Sequence, residues 1–250
     1  MQKNSILEIK NLRKIYHGKK SETLAVDNFS YSLLEGEFIS IVGPSGCGKS
    51  TILSILCDLI PKSSGEIILK DNIKLGYMLQ SDCLFPFRTV LENCLLGLEI
   101  NNTLNEENKK YVIDLLTKYG LKDFINSYPN SLSGGMRQRV SLIRTLATKP
   151  DILLLDEPFS ALDYQSRLSV SDDVYNIIKN ENKSVIMVTH DLSEAISMSD
   201  KVIVLSNRPS RIKNIHNIEL SNKTSPIENR KAKEFNYYYD LIWKEIDEYV

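Results

Sequence analysis

Apolar and polar residues alternate along the first part of the chain. Leu7 and Ile9 stand beside Glu8 and Lys10, and Phe29, Tyr31 and Leu33 beside Ser30, Ser32 and Leu34. Period two in β-forming residues predicts half-buried strands. At 38–42 the pattern becomes a continuous apolar run (FISIV), as in a strand buried on both faces. A glycine-rich turn follows, and 49–60 predicts a helix, punctuated by Pro61 and Gly65. From about 86 to 147 the spacing is helical. Val112, Leu115, Leu116 and Tyr119 share one face, with Asn105 placed to cap the helix and Gly120 to stop it. Met136, Val140, Ile143 and Ala147 line a second helix that begins near Gly134. Buried-strand runs return at 152–155 (ILLL) and 185–188 (VIMV), joined by a helical segment ending in Ile177 and Ile178, and 202–205 is a further short strand. Strands alternating with helices predict an α/β fold with a mostly parallel sheet and right-handed crossovers. The stretch 207–228 is polar and turn-rich. Phe235, Tyr238, Tyr239, Ile242, Ile246 and Tyr249 then form an amphipathic helical face expected to pack on the body of the protein.

The 250 residues suffice for one sizeable core with an elaboration, and 42% apolar with 25% charged residues excludes a wholly disordered chain. Lys and Arg number 31 against 32 Asp and Glu, interspersed, so no basic field draws the chain onto nucleic acid or an anionic membrane. No apolar run approaches the ~18–20 residues of a membrane span. The opening MQKNSILEIK has no apolar signal core, so secretion by that route is not expected. Cys47, Cys57, Cys83 and Cys94 form no CxxC pair and are expected to be reduced thiols.

The chemistry begins in the turn after the 38–42 strand. Gly43, Pro44, Ser45, Gly46, Cys47, Gly48, Lys49, Ser50 and Thr51 fit the phosphate-loop pattern G-x-x-x-x-G-K-[ST]. Polyphosphate must be wrapped by backbone N–H groups, and residues without a bulky Cβ let the chain curl that closely. Such a loop delivers phosphates to a helix N-terminus, with Lys49 reaching the β- and γ-phosphates and Ser50 offering its hydroxyl to Mg²⁺. The run DILLLDEP at 151–158 ends a buried strand in two acids. Asp156 is placed to hold Mg²⁺, directly or through water, and Glu157 to orient or deprotonate an attacking water. A second glycine motif, Leu132-Ser133-Gly134-Gly135-Met136, opens a helix: Ser133 suits an N-cap and the glycines expose backbone N–H groups. Taken alone it also reads as a capped, flexible hinge.

With these motifs the chain, over about residues 5–210, resembles the ATP-binding cassette (ABC) ATPase subunits, in which LSGG is the signature motif. The resemblance places Tyr16 where an aromatic residue stacks on adenine. Gln80 matches the glutamine that touches Mg²⁺ and water, Ser160-Ala161-Leu162-Asp163 the D-loop, and His190, in VTHD, the switch histidine at the γ-phosphate. The segments LFPFRTVLENCLLGLEI (84–100) and SNRPSRI (206–212) resemble the nitrate/sulfonate/taurine importer branch, with Phe87, Ser131 and Ser210 standing where Trp, Gln or Glu, and Gly are usual there.

The resemblance implies a P-loop NTPase fold: a RecA-like mixed sheet with helices on both faces, an N-terminal antiparallel β subdomain and an inserted α-helical subdomain. The implied division is an ATPase domain at 1–210 (core 1–84 and 148–210, helical subdomain 85–147) and a tail at 211–250. It further implies ATP and Mg²⁺ as cofactors and a homodimer in which the signature of one copy caps ATP held by the other, with Glu157, His190, Gln80 and Lys49 catalytic. The implied partners are permease subunits docking near Gln80 and 85–100, where Phe85, Phe87 and Leu91 are candidate contacts, and indirectly an extracytoplasmic solute-binding protein. The implied location is the cytoplasmic face of a bacterial cell membrane. Two other readings stand beside this one: a soluble ABC ATPase without a permease, and a GTPase-like switch, since Thr148-Lys149-Pro150-Asp151 fits the TKxD guanine motif.

Overall fold

The computed structural model describes residues 4–18, 21–221 and 223–247. The chain divides into two compact units, one running to residue 73 and resuming at 183, the other comprising 74–182.

In the first unit β1 (Ser5–His17) pairs antiparallel with both β2 (Glu22–Leu34) and β4 (Ser64–Leu69). The alternation expected at Phe29, Tyr31 and Leu33 is realised, all three side chains facing inward. β3 (Phe38–Val42) is buried at every position, as its unbroken apolar run requires. It pairs in parallel with β7 (Ser184–Val188) on one side and β8 (Lys201–Leu205) on the other. β9 (Ile212–Asn217) adds antiparallel to β8, so this portion of the sheet is mixed. The sequence pattern predicted turns there; β9, like β4 and the later β5 (Leu75–Met78), is a strand it missed.

Helix α1 (Lys49–Leu56) follows the loop after β3 and is shorter than the expected 49–60. Asp58 takes a left-handed φ of 58°, and the N–H groups of Leu59 and Ile60 turn back to the Ser54 carbonyl, which closes the helix. α6 (Leu192–Met198), the short α7 (Pro226–Asn229) and α8 (Phe235–Asp247) complete the unit. The predicted amphipathic face of α8 does pack inward. Ile242 and Phe235 join Val42, Val202, Val204, Leu192, Ala195 and Ile196 in one core, with Tyr238, Tyr239 and Ile246 against it; Tyr249 lies outside the described residues. Glu245 ties α8 to β9, accepting from Asn214 Nδ2 at 2.7 Å and lying 3.2 Å from His216 Nε2.

The second unit holds β5 (Leu75–Met78) parallel to β6 (Ile152–Asp156), two short 3-10 turns and four α-helices: α2 (Val90–Ile100), α3 (Glu106–Lys118), α4 (Gly134–Ala147) and α5 (Tyr164–Asn180). Thr89 and Glu92 form a reciprocal capping box on α2, and Asn105 caps α3 as expected. A Cβ at Gly76 would sit 2.8 Å from Thr145 and 2.9 Å from Pro150, so the absence of a side chain lets β5 lie against α4. The compact unit 74–182 takes in β5, β6 and α5 besides the helices of the 85–147 segment. Among the described residues no helix is long and apolar enough to cross a membrane.

Candidate nucleotide site

The phosphate-loop residues 43–48 join β3 to α1 in the first unit. Gly48 precedes the helix at φ 128°, a conformation that L side chains rarely adopt. Among the described residues no side chain caps the start of α1, so its backbone donors face the loop. Lys49 is only 6% exposed; its Nζ donates to the carbonyls of Gly43 at 2.8 Å and Pro44 at 3.0 Å. The ammonium is therefore aimed into the loop rather than into solvent. Cys47 is buried, and burial pushes its thiol above the ordinary range. Tyr16, at the end of β1, stays exposed, with its Oη 3.4 Å from Thr51 Oγ1 and Lys14 Nζ 4.9 Å from its ring centroid. His190 is an exposed side chain just past β7. Its turn is fixed by Thr189 Oγ1, which donates to Glu194 at 2.7 Å, and by Asp191, which caps α6.

The second unit carries the acids and the second glycine motif. Asp156 ends β6 at 7% exposure, and Tyr77 Oη donates to its Oδ2 at 3.1 Å. Glu157 follows at φ 44°, an uncommon conformation for a residue with a Cβ and one found at functional turns. Gln80 Nε2 donates to Glu157 Oε2 at 3.1 Å, so two residues singled out separately in the sequence meet. Asp163 caps α5 by accepting from Ser166 N, and hydrogen bonds from the Ser166 hydroxyl first and its N–H second hold the carboxyl below the usual carboxylate range.

Ser133 is exposed and caps α4, its Oγ accepting from Met136 N at 3.3 Å; Leu132 beside it is buried. A Cβ at Gly134 would lie 3.0 Å from Leu162, and one at Gly135 only 2.6 Å from Val170 on α5. Gly135 therefore has a packing role besides any ligand role. Gly135→Ala is expected to destabilise the protein by about 1–3 kcal/mol. Val170→Ala should relieve part of that loss, so denaturant unfolding of the double variant should show less than the sum of the single effects.

Sequence reasoning missed two arginines seven residues apart on α4. Arg137 Nε donates to Asp82 Oδ2 at 3.0 Å, and Arg144 donates to the carbonyls of Cys83 and Asp82 at 2.7 and 2.6 Å. They fasten the loop after Gln80 to α4; the only sequence signal was their shared helical face. The TKxD residues have structural work. Thr148 ends α4, Lys149 Nζ donates to Asn108 Oδ1 at 2.8 Å, and Asp151 Oδ2 accepts from Lys74 N at 2.9 Å.

Ser50, Asp156 and Gln80 each carry a hard oxygen atom of the kind Mg²⁺ takes, and among the described residues no group of three or more His, Cys, Asp or Glu that could hold a metal ion occurs. Mg²⁺ typically takes one or two protein oxygens and completes its shell with phosphate and water.

Residues 26–160 match the family model described as ABC transporter. The chain is 45% identical, over 97% of its length and 96% of the relative's, to the uncharacterized ABC transporter ATP-binding protein YtlC of Bacillus subtilis. It is 38% identical to the aliphatic sulfonates import ATP-binding protein SsuB of Bacillus cereus, covering 79% of this chain and 80% of that one. Among solved structures it is similar to the dimeric, post-hydrolysis ATP-binding cassette MJ0796 bound to ADP and Pi. That match has a TM-score of 0.71 and 31% identity, over 85% of this chain and 99% of that one.

Proposed function

Because the chain belongs to the ABC transporter ATP-binding family, whose members are P-loop ATPases using ATP and Mg²⁺, we propose that it powers uptake of a small anion through a partner permease. Nitrate, sulfonate or taurine is the class of solute, a reading supported by the 84–100 and 206–212 segments and by the likeness to SsuB.

Tyr16 stacks on adenine, residues 43–51 wrap the phosphates, and Lys49 holds the β- and γ-phosphates. Ser50, Asp156 and Gln80 would hold Mg²⁺, which when bound would supply neutralisation of charge on the phosphate oxygens. Glu157 accepts the proton of the attacking water, and His190 contacts the γ-phosphate. Leu132 to Met136 of a second copy, with Asp163 nearby, close over the same ATP in a two-fold homodimer. The dimeric state of the MJ0796 cassette supports that arrangement. Closure is then favoured by contacts to ATP that hydrolysis removes, and this difference drives the permease. The subunit sits at the cytoplasmic face of the cell membrane, and an extracytoplasmic solute-binding protein delivers the anion. No role is assigned to nucleic acid.

The observation that carries the reading is the Lys49 ammonium held inside the loop at the uncapped start of α1. The test is uptake of labelled sulfonate, taurine and nitrate by cells lacking this subunit and complemented with the parent or with Lys49→Ala. Uptake of one of these anions should need the parent and fall at least about tenfold with Lys49→Ala. Equal uptake of all three without the subunit would overturn the assignment of solute.

A further inference from the structure

The chain that leaves β8 does not turn away from the phosphate loop but runs beside it. Val42 of β3 pairs with Val204 of β8, and the same sequence offset continues beyond both strands. A Cβ at Gly43 would lie 3.0 Å from Leu205 O, one at Gly46 would lie 3.6 Å from Arg208 Nη2, and one at Gly48 would lie 3.1 Å from Ser210 Oγ. Each partner stands 162 positions after its glycine, the separation of the Arg208–Gly46 hydrogen bond. Residues 205–210 thus continue the β3–β8 pairing as a splint along the loop.

The splint is itself braced. Ser206 N donates to Arg211 O at 2.9 Å, and Ser206 Oγ to Pro209 O at 3.1 Å. Ser210 is fully buried and exchanges backbone bonds with β2: its N–H donates to Ala25 O at 2.9 Å and its carbonyl accepts from Asp27 N at 3.0 Å. The Arg211 guanidinium is paired with Asp27. From this frame the Arg208 guanidinium donates to the carbonyl of Gly46.

We propose that Arg208 is a positioning residue for nucleotide binding, holding the Gly46 carbonyl outward so that the phosphate loop keeps its shape. A peptide unit is planar and trans, so turning the Gly46 carbonyl out turns the Cys47 N–H in. There it meets Pro44 O at 3.3 Å, a long amide bond that a phosphate oxygen readily replaces. Pro44 O also accepts from Lys49 Nζ, so Arg208, the loop apex and the catalytic lysine share one hydrogen-bonded chain. The ligand served is a nucleoside polyphosphate, and the inference rests on reading residues 43–51 as its loop.

The test titrates the full-length parent, Arg208→Ala, Arg208→Lys and Lys49→Ala with a fluorescent ATP analogue and Mg²⁺, and measures ATPase rates. Arg208→Ala should bind about tenfold more weakly, with kcat at saturating ATP within about twofold of the parent and an unchanged melting temperature without nucleotide. Arg208→Lys, which keeps a charged donor, should recover binding to within about threefold. The loss should persist at about 0.5 M salt, where screening acts over a few ångströms. Binding by Arg208→Ala within about twofold of the parent would overturn the inference, as would a loss abolished by salt, which marks remote charge attraction. Should Arg208→Ala not fold, failure of Arg208→Lys to bind while folded would overturn it equally. Failure of the phosphate-loop reading looks different: the parent and Lys49→Ala would then bind the analogue alike.

Discussion

Glu157→Gln is expected to bind ATP within about threefold of the parent and to hydrolyse it about 10³-fold more slowly, the range that removal of a general base produces. The variant is almost isosteric. Its amide oxygen still accepts from Gln80 Nε2, which now reaches Glu157 Oε2 at 3.1 Å, and the left-handed turn at φ 44° is no harder for glutamine than for glutamate. What disappears is the carboxylate that would take a proton from water. Because closure outlives binding when hydrolysis stalls, the variant should collect as a nucleotide-loaded dimer. Phosphate release and size-exclusion chromatography with Mg²⁺ and ATP check both parts. Turnover close to the parent's would remove Glu157 from its proposed role.

Ser133→Arg is expected to lower hydrolysis at least about 10²-fold while leaving nucleotide affinity of the monomer within about threefold. Ser133 is exposed at the start of α4 in the 74–182 unit, whereas the Lys49 loop belongs to the unit containing β3. In the proposed dimer a bulky cation there would obstruct the helix start that closes over the other copy's ATP and would spare binding by the loop of its own copy. Loss of the Met136 N–H cap costs about 1 kcal/mol, so a melting curve separates it from unfolding. Collapse of monomer affinity in a folded variant would contradict a signature acting across the dimer.

The features legible in the sequence were those whose chemistry is written contiguously. The phosphate loop sits between an unbroken buried strand and a helix, and Asp156 and Glu157 end an apolar run, so strand, turn and ligand arrive in one short window. The Asn105 and Ser133 caps were readable for the same reason, as was the inward face of α8. β9 was missed because IKNIHN pairs on one side with β8 and is stabilised by backbone bonds, leaving its side chains half-buried or exposed without strict alternation. The end of α1 was misplaced because Ile60 extends the helical pattern, while the left-handed Asp58 that stops it carries only a weak signal. Arg137 and Arg144 could be assigned to a face of α4 but not to the loop they hold. The Arg208–Gly46 bond joins residues 162 apart, beyond any local pattern.

The backbone at Glu157 changes how substitutions there should be read. With φ at 44°, Val, Ile and Thr crowd their branched Cβ against the main chain, whereas Gly, Asn and Asp accept the turn readily. In a saturation library an inactive isoleucine clone therefore combines a misdirected loop with a missing proton acceptor and separates neither. Glutamine keeps the reach to Gln80 and asparagine the easy turn, so a library in which both are silent while the fold holds points to the lost carboxylate.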